Sequence, residues 1–308
     1  MTTRPPSVYY VFYLFSKFGV EIKIANHRAA FYRALMSDKI NIGLLGADGR
    51  MGGAILRVLD TEPRAQLTVA LSAPSSPFIG TDAAEHAGLK PIGLSLTSDI
   101  KAGLELCDVL IDFSHPKPAI DAAVAMHGTR CHSFVTGTTG YSDIEEKALL
   151  AAADDITLLR SGNFSLGVNM LEALVEIAAA QLSAKDWDIE VLEAHHRHKI
   201  DSPSGTALML GDAAAKGRGV SLADAQVLSR EGRGEPRKAG QIGFAALRGG
   251  GIIGEHEVSL TSELEQIRLA HTAFDRSVFA HGAVMAALWA VKQPKGLYDM
   301  KDVLGLKS

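Results

Sequence analysis

Ile40-Asn-Ile-Gly-Leu-Leu-Gly46-Ala-Asp-Gly49-Arg50-Met51-Gly52-Gly-Ala54 decides how this chain folds. Ile40 to Leu45 is a short apolar run of strand type, and Ala54 to Leu59 has helical spacing. Between them stand glycines that suit a turn over a dinucleotide. Gly46 permits the tight turn, Gly49 lets backbone approach a pyrophosphate, and Gly52 lets helix pack on strand. The spacing G-x-x-G-x-x-G departs from the strict G-x-G-x-x-G, so a plain turn is the alternative. The flanking strand and helix favour nucleotide binding.

The alternation continues downstream. Gln66 to Leu71 reads as a strand ending in Ser72-Ala73-Pro74-Ser75. Sites that prefer NAD usually carry an acidic residue at this point. None stands here, and Arg50 opens the first helix within reach of a 2′-phosphate, so NADPH is favoured over NADH. Val109 to Ser114, a helix after Pro116, His132 to Thr136 running into Gly137-Thr-Thr-Gly140, a further helix, and Ile156 to Leu159 running into Ser161-Gly-Asn-Phe-Ser165 repeat the unit. Such repetition predicts an α/β fold with a Rossmann-like doubly wound parallel sheet, whose ligands bind off the carboxyl ends of the strands. Asp112, Gly137–Thr139 and Ser161–Phe164 all fall at such ends.

After a long helix over 166–182 the pattern changes to clustered strands: Asp188 to Ala194, Gly243 to Leu247, His256 to Leu260 and Gln266 to His271. This predicts a second, α+β domain built on a mixed sheet. Arg218 to Gly240 and Arg248 to Gly254 read as mobile loops. Val278 to Val291 reads as an apolar helix. The expected organisation is a dinucleotide-binding domain over 36–165, a substrate-binding and oligomerisation domain over 166–275, and a segment over 276–308 returning to the first domain.

Within the second half lies Glu193-Ala-His195-His196-Arg-His198-Lys199-Ile-Asp-Ser202-Pro203-Ser204-Gly205-Thr206-Ala207, with three histidines, an arginine and a lysine directly ahead of a helix start. Ser202 fits an N-cap and Pro203 the first helical position. The amides of Ser204, Gly205 and Thr206 would then be free to hold an anion. Proton carriers beside an anion cradle point to an enzyme for a small carboxylate or phosphate.

The chain has 308 residues, 47% hydrophobic and 21% charged, enough for two globular domains. A net charge of -4 gives no basic footprint for nucleic acid. No run is long enough for a membrane span. Cys107 and Cys131 are the only cysteines, which argues for a reducing compartment and against a disulfide framework or zinc site. A cytoplasmic location is expected. Residues 1–35 hold eight of the nineteen aromatic residues, a break in composition that marks Met36 as the expected natural start and 1–35 as an atypical extension.

Taken together, Gly46 to Gly52, Gly137 to Gly140, Gly162 to Ser165, Glu193 to Ala207, Ile253-Gly-Glu-His256 and Gly296 to Leu304 resemble the 4-hydroxy-tetrahydrodipicolinate reductase (dihydrodipicolinate reductase) family. The likeness runs from about Lys39 to Leu304. It implies NAD(P)H-dependent reduction of a cyclic imine dicarboxylate in lysine and diaminopimelate biosynthesis, by a homotetramer. It implies His195 as acid/base residue and Lys199 as proton donor, with His196, Gly205 and Thr206 binding substrate. Gly46, Ala47, Asp48, Gly49, Arg50 and Met51 would contact the cofactor, NADPH or NADH. Gly137, Thr138, Thr139, Ser161, Gly162, Asn163 and Phe164 would border the nicotinamide. Ser72 and Ala73 stand where the family places an acidic residue often followed by a basic one, which leaves the choice of cofactor open.

Rival readings fit less well. Adjacent strand histidines point to opposite faces, so only His196 and His198 could share a metal, and no metal is expected. A two-domain reductase with a cysteine nucleophile, such as an aspartate-semialdehyde dehydrogenase, would need a turn and a base that Cys107 and Cys131 lack. Another reductase of a small carboxylate stays as an alternative. So does a nucleotide-sensing binding protein, which would be expected to lack His195 or Lys199.

Overall fold

A computed structural model describes residues 39–307; the expectations about 1–35 and Met36 lie outside the described residues. The opening stretch forms β1 (Ile40–Leu45) and α1 (Arg50–Leu59). There follow β2 (Ala65–Leu71), α2 (Ala83–His86), β3 (Leu96–Thr97), α3 (Ile100–Leu104), β4 (Val109–Asp112), α4 (Pro116–Ala125), β5 (Ser133–Thr136), α5 (Asp143–Ala151) and β6 (Thr157–Arg160). Gly46 has φ +81°, and a side chain there would press on the Phe113 carbonyl; at Gly52 one would strike the Gly46 carbonyl. Only glycine therefore lets the turn close and α1 settle on the sheet.

The first sheet has seven parallel strands and is Rossmann-like, with β1 central between β2 and β4. Ile42 and Leu44 of β1 are fully buried in its core. Burial of such a side chain contributes roughly 1.5–3 kcal/mol. α4 starts with proline at its first turn, and α5 starts with a Ser142–Glu145 capping box. Cys107 and Cys131 are free and buried beneath this sheet. Burial pushes the Cys131 thiol well above its ordinary value, the opposite of an activated nucleophile.

The second half builds α6 (Leu166–Gln181), β7 (Asp188–His195), α7 (Gly205–Gly217), α8 (Leu222–Ala225), β8 (Gln226–Val227), β9 (Ile242–Arg248), β10 (Glu255–Thr261) and β11 (Gln266–Thr272). Its five-stranded sheet runs β11-β10-β7-β9-β8 and is mixed, with β10 antiparallel and β9 parallel to β7. α6 and α7 cover one face through Leu171, Val175, Leu210 and Ala214 against Ile189, Val191 and Val258. The other face leaves Leu192 and Leu247 exposed.

The chain then forms α9 (Ser277–Ala290), β12 (Gly296–Tyr298) and α10 (Met300–Val303). α9 is mostly apolar and packs against α1, β4 and β5, leaving His281 and Met285 exposed on its outer side. β12 pairs parallel with β6 at the edge of the first sheet. Among the described residues no helix is long and apolar enough to cross a membrane.

Two loops differ from expectation. The 218–240 segment contains α8 and β8, and Arg230 and Arg237 pin it to Glu190 at 2.9 and 3.0 Å. Arg248–Gly254 is tied to the end of β7, with the Gly249 amide donating to the His195 carbonyl and the Arg197 amide to that of Gly250. Arginine and glycine content suggested mobility; ion pairs and backbone bonds formed by neighbouring strands supply the order.

Candidate active site

α1 begins at the glycine turn with no side chain capping it, so the amides of its first turn stay open. They face a cleft of about 1290 Å³ lined by Asp48, Gly49, Arg50 and Met51 on one side and by His196, His198 and Lys199 on the other. An open helix N-terminus behind a glycine turn suits an anionic pyrophosphate. Arg50 lines the cleft, and Arg57 and Arg276 add positive charge. Ser72 lies beneath the turn rather than in the cleft, with its hydroxyl accepting from the Asp48 amide at 3.3 Å.

At the carboxyl ends of β4 and β5, the loops are held by a buried carboxylate. Asp112 accepts from Thr136 Oγ1 at 2.6 Å and from the Ser114 hydroxyl and amide at 2.5 and 3.0 Å. Burial pushes its carboxyl above the usual range, and the hydrogen bonds from Ser114 and Thr136 only partly offset this. The Ser114 amide also donates to Thr138 Oγ1, and the Thr138 amide to Thr136 Oγ1. Gly137 and Ser161 are fixed by amide bonds to the Asp112 and Thr136 carbonyls. Thr139 and Gly162 belong to the same two turns. Phe113 packs on Phe164 with ring centroids 5.4 Å apart, joining the first and last of these loops.

Asn163 links this edge to the second sheet, its side-chain amide donating to Thr206 Oγ1 at 3.0 Å. The helix there starts two residues later than its sequence suggested. Ser204 is the N-cap, accepting from the Ala207 amide, and Pro203 follows a cis bond outside the helix. The Ser204 amide is taken by Glu193 at 3.2 Å. Of the three amides expected to be free, only those of Gly205 and Thr206 have no partner among the described residues.

His195 ends β7 and is 8% exposed. Its Nδ1 lies 2.5 Å from Glu193, which Arg248 grips through Nη2 and Nη1 at 2.7 and 2.8 Å. His256 stacks edge-on against His195 at 5.0 Å, with Nε2 3.2 Å from the Ser204 hydroxyl. Burial, and then the charge of His195, push the His256 imidazole down to about 4. Partial desolvation, then Arg276 and His198, hold His196 below its ordinary value. Lys199 pairs with Asp201 at 2.8 Å. His198 lies beside His196 in the cleft, rings 6.3 Å apart.

The sequence reading missed Glu193, Arg248 and His256 as parts of the site. Glu193 stands two residues before His195, so strand alternation alone puts the two on one face. Arg248 and His256 come beside them only through the pairing of β9 and β10 with β7.

Two family models cover most of the chain: dihydrodipicolinate reductase, N-terminus, matches residues 40–164, and dihydrodipicolinate reductase, C-terminus, matches residues 167–304. The 4-hydroxy-tetrahydrodipicolinate reductase of Sinorhizobium fredii is 50% identical over 264 residues, 85% of this chain and 96% of the relative. That of Rhizobium rhizogenes is 48% identical, over 89% of this chain and all of the relative. Among solved structures, the dipicolinate-bound dihydrodipicolinate reductase of Paenisporosarcina sp. TG-14 aligns with TM-score 0.67 at 20% identity, over 85% of this chain and 97% of that one. An amine dehydrogenase from Mycobacterium smegmatis aligns with TM-score 0.58 at 14% identity, over 85% and 95%, a likeness of fold.

Proposed function

The chain belongs to the dihydrodipicolinate reductase family, and on that premise we propose which of its residues serve the reaction. The reaction is the reduction of 4-hydroxy-tetrahydrodipicolinate in lysine and diaminopimelate biosynthesis, with a nicotinamide cofactor. The observation that carries the residue assignment is the single cleft in which the open glycine turn faces His196 and Lys199.

Residues 39–165 with the 276–307 segment form the dinucleotide-binding part, and residues 166–275 the substrate part. The Gly46–Met51 turn holds the pyrophosphate through the Arg50 and Met51 amides, those of Gly46, Ala47, Asp48 and Gly49 being taken by the Leu71 carbonyl, the Ser72 hydroxyl and the Gly46 carbonyl, which fix the turn. Gly137–Thr139 and Ser161–Phe164 border the nicotinamide. When bound, the cofactor supplies the hydride. Arg50 pairs with a 2′-phosphate, so NADPH is preferred; the absence of a carboxylate at Ser72 supports this.

The Gly205 and Thr206 amides hold one substrate carboxylate, as an anion sits at an open helix N-terminus. His196 contacts the substrate from the cleft side. Once the 4-hydroxyl has left as water, reduction of the conjugated imine that remains leaves negative charge to be quenched, and Lys199 donates the proton from Nζ while its cation stabilises the developing charge. His195 exchanges its proton through Nε2, because Nδ1 is engaged by Glu193. Four copies assemble through the exposed face of the mixed sheet, where Leu192 and Leu247 are open to solvent. The protein is cytoplasmic.

A steady-state assay with enzymatically generated 4-hydroxy-tetrahydrodipicolinate tests the activity. Substrate-dependent oxidation of NADPH, faster than of NADH and inhibited competitively by pyridine-2,6-dicarboxylate, is expected. Oxidation of neither cofactor contradicts the reading.

A further inference from the structure

We infer that Glu193 and Arg248 are a positioning pair that fixes the tautomer of His195 and ties it to the carboxylate cradle and to Lys199. The inference rests on the reading of His195 as the acid/base residue.

One face of β7 is buried along its length, through Ile189, Val191, Glu193 and His195. The first two are apolar and pack in the core, whereas the last two place a carboxylate and an imidazole in the same dry environment. A buried carboxylate is costly unless it is paired. Glu193, 4% exposed, is paired four times: with His195 Nδ1, with two nitrogens of Arg248 and with the Ser204 amide. Burial raises its carboxyl, but the hydrogen bonds from Arg248 and His195 outweigh this and hold it below the usual carboxylate range. It is therefore an anion at neutral pH.

An anion at that place has one chemical consequence for the imidazole. It accepts a hydrogen bond only from a protonated Nδ1, so Nδ1 keeps its proton whether His195 is neutral or charged. Nε2 is left as the nitrogen that gains and loses the working proton.

The pair also reaches the rest of the site. His195 and Arg248 are register partners across β7 and β9, which fixes the guanidinium beside the strand end. Its Nη2 donates to the Asp201 carbonyl at 2.6 Å, and the Asp201 side chain holds Lys199. Glu193 meanwhile takes the amide of Ser204, the residue that caps the cradle helix. The acid/base residue, the proton donor and the anion cradle thus share one support.

The test is NMR of the full chain labelled with ¹⁵N-histidine, with the His195 signals assigned by comparison with His195→Gln, alongside steady-state kinetics. Wild type should show one Nδ1-protonated tautomer, and Glu193→Gln a mixture. kcat of that variant should fall by about 10- to 100-fold, with KM for the cofactor changed by no more than about twofold. Arg248→Met, at a more accessible position, serves if Glu193→Gln does not fold, and Arg248→Lys should restore part of kcat. An Nε2-protonated His195 in wild type, a tautomer unmoved by Glu193→Gln, or an unchanged kcat in Arg248→Met overturns the inference. Because the tautomer is read on the resting enzyme, a wild type without turnover refutes the reading of the activity instead.

Discussion

Arg50, His195 and Lys199 show how far single residues can be read. The His195–Lys199 segment stands out in the sequence because its proton carriers are contiguous. Glu193 was on the page too, but its meaning depends on strand alternation continuing to the last residue of β7. Arg248 could not be found that way, since it lies 55 residues from Glu193 and meets it only through strand register. Arg50 is the residue whose role carries a clear consequence. It lines the cleft beside the open first turn of α1, with no acidic neighbour at Ser72. Arg50→Leu should raise KM for NADPH by about tenfold, the weight of a ~1.4 kcal/mol contact, and change KM for NADH much less. Equal changes for both cofactors would place the choice elsewhere.

At the scale of elements, the strands and long helices of the first sheet followed from apolar runs and glycine turns. The start of α7 did not. Ser202 and Ser204 both suit an N-cap, and sequence has no means to rank them; the winner is the one whose hydroxyl reaches the Ala207 amide. The short strands β3 and β12 were missed because two or three residues carry no period. β10 brings a buried histidine against that helix start, and this has a consequence for stability. Unfolded His256 takes up a proton near pH 6.5, whereas in the fold it resists until about 4. Between those values the unfolded state binds more protons, so stability falls as pH falls, by at most ~3 kcal/mol, and the loss levels off below about 4. His256→Gln should flatten that part of a plot of Tm against pH. An unchanged slope would mean that His256 is protonated in the fold as readily as outside it.

At the scale of the whole molecule, two sheets of different construction make up the fold, and the change from strand–helix alternation to clustered strands announced this in the sequence. What composition could not reveal is which face of the mixed sheet stays open. Register shows that it carries Leu192 and Leu247 beside small alanines. If four copies assemble through this face as proposed, wild type should scatter light as a tetramer and Leu247→Glu as a smaller species with the monomer fold retained; a wild-type mass below that of a tetramer contradicts the proposed assembly, and a tetramer unchanged by the substitution would move the interface to another surface.

The account depends above all on one cleft serving both cofactor and substrate. The most direct test compares wild type with the His195→Ala/Lys199→Ala double variant, reading NADPH binding by fluorescence and turnover with 4-hydroxy-tetrahydrodipicolinate on the same samples. The expected result is unaltered cofactor affinity with turnover lower by at least roughly 10²–10⁴-fold, the contribution of a positioned acid and base. Turnover within a few-fold of wild type in the double variant would contradict it.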